Sequence, residues 1–142
     1  MDANLVFAHL WLAQVYEQMG MFEDSISELR TGRKLSGDAP FALARLGHGY
    51  AISGEIDEAR SILQRLNMAS KQKYVSPYDV GIVHLGLGQK DEAFDCLQKA
   101  LQQRSLWLGY INVEPQLESL RSDHRWEELI SLVGLPSKCS QR

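Results

Sequence analysis

The sequence has few of the residues that cross-link a chain or bind a metal ion. Two cysteines, Cys96 and Cys139, occur in 142 residues, and they share no motif spacing. A disulfide-stabilised scaffold is therefore not expected, and a reduced, cytoplasmic compartment is the simplest prediction. The four histidines include no pair at i, i+4, and no cysteine stands near two of them, so no metal site is predicted.

Long apolar runs and an excess of positive charge are also missing. No apolar run approaches the roughly 18 residues that a membrane-spanning helix needs. Residues 1–4 lack the basic start and apolar stretch of a signal peptide. The net charge of −3 offers no field that would attract a phosphate backbone. We therefore predict neither a membrane nor a nucleic-acid partner, and no cofactor.

The chain does contain a regular spacing of glycines. Gly20, Gly54 and Gly88 are separated by 34 residues, and each lies between one apolar helical pattern and the acidic start of another. A fixed period of this length is typical of stacked helical repeats. Each glycine is predicted to end a helix in the left-handed conformation, which residues with a Cβ rarely adopt.

Residues around the glycines repeat in kind at the same spacing. Large apolar residues recur at i, i+4 and i+7, which indicates amphipathic helices. Small residues recur where two helices of a pair must approach closely, at Ala13, Gly47, Gly81, Ser25, Ala59 and Ala93. The pattern predicts an all-α fold with three antiparallel helix pairs, whose helices lie near residues 4–19, 22–35, 39–53, 56–70, 77–87 and 90–104.

Two prolines mark predicted helix starts. Asp38 is predicted to cap a helix that carries Pro40 in its first turn. Ser76 stands in the same way before Pro77, with Asp79 completing an arrangement close to a capping box. Both starts agree with the helix positions given by the period.

The repeated motif consists of an apolar residue, a small residue and, three positions later, a tyrosine or its substitute. It occurs as Leu12-Ala13-Tyr16, Leu46-Gly47-Tyr50 and Val80-Gly81-His84. This pattern resembles the tetratricopeptide repeat, over about residues 6–105. The resemblance implies an α-α superhelix built from a 1–105 domain of three repeats, at about 6–38, 40–73 and 74–105. The family's usual tryptophan and closing proline are absent, being replaced at His9, Leu43, Pro77, Gly37, Lys71 and Ser105.

A fourth repeat is not predicted, because its motif would fall on Glu114, Pro115 and Glu118. We expect a capping segment over 106–136 and a tail over 137–142, since a repeat array must cover its last apolar face. Apolar cover is expected from Trp107, Leu108, Tyr110, Ile111 and Val113. A final helix is predicted at about 124–133, capped by Asp123, with one apolar face formed by Trp126, Leu129, Ile130 and Val133.

The segment from Arg104 to Pro136 also resembles the closing region of many bacterial tetratricopeptide proteins. In those proteins the array often follows a signalling domain, such as a kinase, a nucleotide cyclase or a winged-helix domain. The helical pattern here begins at Leu5, directly after Met1. This start fits either a natural terminus or the edge of a longer bacterial signalling protein.

Several local features resemble catalytic or phosphate-binding motifs. Residues 47–49 and 86–90 are glycine-rich, but they lack the preceding strand and the spacing of a phosphate loop. Acidic pairs recur at the period, as expected of helix starts rather than of a general acid and base. Cys96 lies beside Leu97 in a repeat helix, where a structural thiol is expected. No enzymatic activity is predicted.

The family resemblance implies that the first helix of each pair lines a concave, partner-binding face. Carried over by register, the binding residues are Phe7, Leu10, Gln14, Phe41, Ala44, Arg45, His48, Val75, Tyr78, Asp79 and Ile82. Phe7, Phe41 and Ile82 fit equally well as packing residues between repeats. The leading hypothesis is a protein or peptide partner bound by apolar anchors and a few polar guides.

Two other functions remain open from the sequence. Phe7, Leu10 and Trp11 lie on a first helix that no earlier repeat covers, which favours a homo-oligomer formed through this helix. The alternative is a ligand-sensing domain of a transcription regulator or kinase, with a small molecule in the groove.

Overall fold

The computed structural model describes residues 3–103 and 117–133. Within these ranges 79% of the residues are helical and no strand occurs. All six repeat helices lie within two residues of their predicted bounds, so the all-α prediction is confirmed. The helices are α1 (Ala3–Gln18), α2 (Phe22–Leu35), α3 (Pro40–Ile52), α4 (Ile56–Ala69), α5 (Pro77–Gly86), α6 (Lys90–Gln102), α7 (Glu118–Arg121) and α8 (Arg125–Val133).

The turn inside each helix pair is the same at all three repeats. Gly20, Gly54 and Gly88 have φ angles of 76°, 92° and 78°, which confirms the left-handed glycines. The N–H of the residue after each glycine donates to a carbonyl of the preceding helix, at 2.8 to 2.9 Å. These carbonyls belong to Tyr16, Tyr50 and His84, the tyrosine positions of the repeated motif. The turn therefore satisfies carbonyls that a helix end leaves without a partner.

Helices pack closely where the sequence places small residues. A Cβ added to Gly47 would lie 2.9 Å from Cγ2 of Ile62 on α4 and 3.1 Å from Cγ2 of Val83 on α5. A Cβ added to Gly81 would lie 3.0 Å from Cβ of Cys96 on α6. All three distances are shorter than normal contacts, so the predicted role of Gly47 and Gly81 in close helix approach is confirmed.

The two junctions between successive pairs differ. At the first junction α3 packs mainly on α2, and at the second α5 packs mainly on α3. Gly86 has no side chain, and a Cβ there would lie 3.0 Å from Cβ of Ala51 and 3.2 Å from Cα of His48. The equivalent residue of α3 is the larger Ile52, and α3 touches α1 little. The small residue at this position therefore occurs where two first helices pack closely, and the large residue occurs where they do not.

The predicted final helix is present as α8 and covers the last helix pair. Trp126 and Leu129 are buried in one apolar cluster with residues of α5 and α6. The backbone N–H of Arg125 donates to Oδ1 of Asp123 at 3.0 Å, which confirms the predicted cap. The short helix α7 was not predicted. The expected cover from Trp107 to Val113, the side chains of Ile130 and Val133, and the tail lie outside the described residues.

One predicted cap is wrong. The residue before α3 is Ala39, and no side chain caps this helix start. Asp38 instead has a left-handed backbone, with φ of 62°, and its carboxylate accepts from Nε of Arg33 at 2.9 Å. The ion pair to α2 therefore draws the carboxylate away from the start of α3. The Ser76 cap is confirmed, because its Oγ accepts from the N–H of Tyr78 at 3.2 Å.

Candidate functional site

The predicted binding residues lie on α1, α3 and α5, apart from Val75 in the segment before α5, and we call the surface that these helices form together the first-helix surface. Its residues differ widely in exposure. Phe7, Gln14, Phe41, Arg45 and Val75 are half-buried. The others are buried within the chain, namely Leu10, Ala44, His48, Tyr78, Asp79 and Ile82. In this conformation a partner could therefore reach the α1 and α3 end of the surface more easily than the α5 end.

The α5 end is covered by C-terminal residues of the same chain. Tyr78 and Ile82 are each 1% exposed. They belong to the same buried cluster as Leu117, beside α7, and Leu120 within it. These α5 side chains therefore belong to the core. Ile82 packs with its own helix pair and with C-terminal residues in this cluster, whereas the alternative that the sequence left open was packing between repeats.

Aromatic side chains group at the start of the first-helix surface. The ring of Phe7 stacks on Phe41, with centroids 5.3 Å apart, and on Trp11, with centroids 6.2 Å apart. Phe7 and Phe41 occupy the same register position in α1 and α3. This stacking joins the first two pairs where α1 and α3 otherwise have little contact.

A cleft of about 300 Å3 lies farther along the same surface. Three of its lining residues, Gln18, Ile52 and Gly86, are separated by 34 residues and so occupy one register position in α1, α3 and α5. The other lining residues come from the same helices and from α7, namely Gln14, Glu17, His48, Leu85, Glu118 and Ser119. Successive repeats thus contribute equivalent positions to one concave feature.

A buried histidine and a nearly buried carboxylate stand at the base of this cleft. Nδ1 of His48 lies 3.9 Å from Oε1 of Glu17, and the Ser25 hydroxyl donates to the same oxygen at 3.4 Å. Burial, with a smaller contribution from the charge of Arg45, lowers the pKa of His48 to about 4. His48 is therefore neutral at pH 7, and its contact with Glu17 is not an ion pair.

Asp79 is a buried acidic group of this surface. Burial raises the pKa of Asp79 to about 6, while the positive charge of Arg45 acts in the opposite direction. Asp79 and Arg45 occupy equivalent register positions on α5 and α3. The charge of Arg45 offsets only part of the cost of burying this carboxylate. The pKa of Asp79 therefore remains raised.

Other side chains that could take part in chemistry make contacts typical of structural residues. Nδ1 of His9 contacts Oε2 of Glu28 at 2.5 Å, and Nδ1 of His84 contacts Oε1 of Gln89 at 2.7 Å. Burial raises the pKa of the Cys96 thiol, which favours its unreactive form. Across residues 3–103 and 117–133, no group of three or more His, Cys, Asp or Glu is placed to hold a metal. Cys139 lies outside the described residues.

The cleft contains residues that the sequence reasoning missed. Gln18, Ile52 and Gly86 precede the repeated glycines by two positions, so the period itself was a sufficient signal for grouping them. Glu118 and Ser119 carried no such signal, because they lie on the unpredicted α7. No helix among the described residues has the length and apolarity needed to cross a bilayer.

The chain matches no protein-family model, no curated protein and no solved structure. The candidate site is therefore defined by the geometry of the chain's own residues.

Proposed function

We propose that this chain is a non-catalytic protein-interaction module of the tetratricopeptide type, which binds a peptide or protein segment in the cleft. The observation that carries the proposal is the convergence of Gln18, Ile52 and Gly86 on one concave feature. Stacked repeats commonly bind partners in this way, because equivalent positions of neighbouring repeats form a continuous surface. The recurring turns and close helix contacts support the repeat architecture on which the proposal depends.

The dimensions of the cleft indicate what it would hold. Its volume of about 300 Å3 lies at the small end of the range for ligand pockets, roughly 300–1,000 Å3. It therefore suits one or two side chains of a partner rather than a whole helix. Ile52 and Leu85 offer apolar contact, while the amides of Gln14 and Gln18 offer hydrogen bonds. The half-buried pair Phe7 and Phe41 extends the same surface toward the start of α1.

A display library of random peptides tests the proposal without knowledge of the natural partner. Peptides selected on the intact chain would be synthesised, and their affinities measured by fluorescence anisotropy. Gln18→Arg places a larger, charged side chain at the cleft and should weaken binding at least about tenfold. Gln64→Arg makes the same change at an exposed position of α4 and should leave affinity unchanged.

Two results would contradict cleft binding. One is a library from which no sequence is enriched. The other is a set of selected peptides that bind Gln18→Arg as tightly as they bind Gln64→Arg.

A further inference from the structure

The side of α1 that faces away from the rest of the chain is strongly apolar and exposed. Leu5, Leu12 and Met19 follow one another at intervals of seven residues, with exposures of 46%, 40% and 64%. Val15, one turn from two of them, is 51% exposed. Three neighbouring side chains, Trp11, Met21 and Phe22, widen this patch. We call these seven residues the outer face of α1.

The register shows what kind of surface this is. The positions of Leu12 and Val15 correspond to Leu46 and Gly49 of α3, which are both buried. Gly49 packs against Leu29, since a Cβ there would lie 2.5 Å from its Cδ1. At this position of the repeat, α3 is covered by the helix of another pair, whereas α1 is not. The outer face of α1 is thus a helix-packing surface exposed to solvent.

The area of this face is large enough for a stable interface. The exposed fractions of its seven side chains correspond to roughly 700 Å2 per chain. A monomer's largest apolar patch is typically about 300–600 Å2. Two such faces would bury about 1,400 Å2 together, within the range of roughly 1,200–2,000 Å2 for specific interfaces.

The charge of the region favours a second apolar face over a membrane or an acidic partner. The first basic residue of the chain is Arg30. A helix that lies on an anionic membrane needs Lys or Arg along its edges, and α1 has neither. The acidic side chain within α1, that of Glu17, is only 9% exposed. The α1 part of this face could therefore meet a second copy without burying like charges, while the exposed Glu23 and Asp24 follow Phe22 in the chain.

We infer that two copies of this chain pair through the outer face of α1, with the two α1 helices antiparallel across a two-fold axis. The spacing of the stripe is self-complementary, because Leu12 lies midway between Leu5 and Met19. In this arrangement Leu12 faces Leu12 of the second copy, and Leu5 faces its Met19. Such an isologous contact closes on itself and ends at a dimer. It uses a different surface from the cleft and does not depend on it.

Sedimentation equilibrium of the whole chain, from about 1 to about 200 μM, measures the pairing. The expected result is a monomer–dimer equilibrium that persists at about 1 M NaCl, because the contact contains no ion pairs. Leu12→Lys should weaken dimerisation at least about 100-fold, since each substitution occurs twice in the interface. Leu12→Glu should do the same, and an equimolar mixture of the two variants should restore a dimer.

A matched pair of methionine variants locates the interface. Met19→Lys should weaken the dimer, whereas Met68→Lys, at a position of α4 that is 69% exposed, should not. Circular dichroism of each variant should retain the helical spectrum. Wild-type protein that remains monomeric across the concentration range overturns the inference. A dimer that persists in both Leu12→Lys and Met19→Lys would overturn it as well.

Discussion

The helices α1 and α5 occupy the same place in their repeats but have opposite surroundings. At one register position α1 carries Trp11, which is 65% exposed, and α5 carries Asp79, which is 6% exposed. An aromatic residue is thus exposed to solvent where its charged equivalent is buried. The comparison shows that position in the repeat determines the direction of a side chain, whereas its burial depends on what lies beside the repeat.

The two helices also differ in whether C-terminal residues of the chain lie against them. Leu117 and Leu120 share a buried cluster with Tyr78 and Ile82, so the chain itself covers α5. Trp126, on α8, joins that cluster. At α1 no described element lies against the outer face. Among the described residues the stack therefore has one covered end and one uncovered end, and we assign the uncovered end to pairing with a second copy.

The largest expected effect is a loss of stability, and it should differ between the tryptophans at the two ends of the stack. Trp126→Ala should reduce the free energy of unfolding by about 3–5 kcal/mol, because it leaves a cavity in the buried cluster that Trp126 shares with Tyr78 and Ile82. Trp11→Ala should reduce it by less than about 1 kcal/mol, because most of that side chain is already exposed. Urea unfolding at about 1 μM, where pairing through α1 contributes little, measures both. Similar losses for the two variants would refute the contrast between the ends.

An intermediate effect is expected from the buried carboxylate of α5. Asp79→Asn should raise the free energy of unfolding by about 1–3 kcal/mol at pH 7.5, because it removes a desolvated charge. The gain should vanish near pH 4. Urea unfolding across this pH range provides the measurement, with the exposed Asp95→Asn as a control that changes little. A gain that does not depend on pH would contradict this account.

The sign of this pH dependence follows from the raised pKa of Asp79, about 6 against 3.8 in an unfolded chain. Between these values the native carboxyl keeps a proton that the unfolded one has lost. The stability that this protonated carboxyl contributes is therefore complete below pH 3.8 and is lost as the pH rises through 6. His48 acts in the opposite direction, because its pKa is lowered from 6.5 to about 4. Its contribution is present above pH 6.5 and is lost as the pH falls through 4.

The smallest effect on the free energy of unfolding is expected from the turn glycines, and it should be equal at the two ends of the stack. Gly20→Ala and Gly88→Ala each place a Cβ on a left-handed residue, although nothing lies within 4 Å of either Cβ position. Each should cost about 1 kcal/mol, because the strain is local to the turn. Urea unfolding should also show smaller losses for the asparagine variants, since Asn tolerates this conformation better. A marked difference between Gly20→Ala and Gly88→Ala would mean that the turns are not equivalent.

The sequence predicted best what depends on neighbouring residues. The period located six helices to within two residues, and the apolar spacing with the Asp123 cap located α8 as closely, because these signals act over short distances. The prediction that Asp38 caps α3 was wrong, because its carboxylate pairs instead with Arg33 on the preceding helix. The short α7 was missed because four residues give too little periodicity to detect.

The candidate site was predictable only in part. Gln14 and His48 do line the cleft, as residues of first helices were expected to do. Tyr78 was not predicted as a core residue, and the cover over Tyr78 and Ile82 could not be predicted, because Leu117 and Leu120 lie more than 30 positions away in the sequence. No repeat pattern links those leucines to α5, so only their contact in the folded chain reveals the cover.

The sequence by itself determined the helices, the three repeated turns and the small residues that bring paired helices together. These features follow from local backbone preferences and from a hydrophobic period, both of which are encoded within about 34 residues. Only the tertiary structure decided which equivalent residues are buried, which of them meet in the cleft and which face of α1 stays open. Those outcomes depend on contacts between distant segments, and the repeat places no signal for such contacts in the chain.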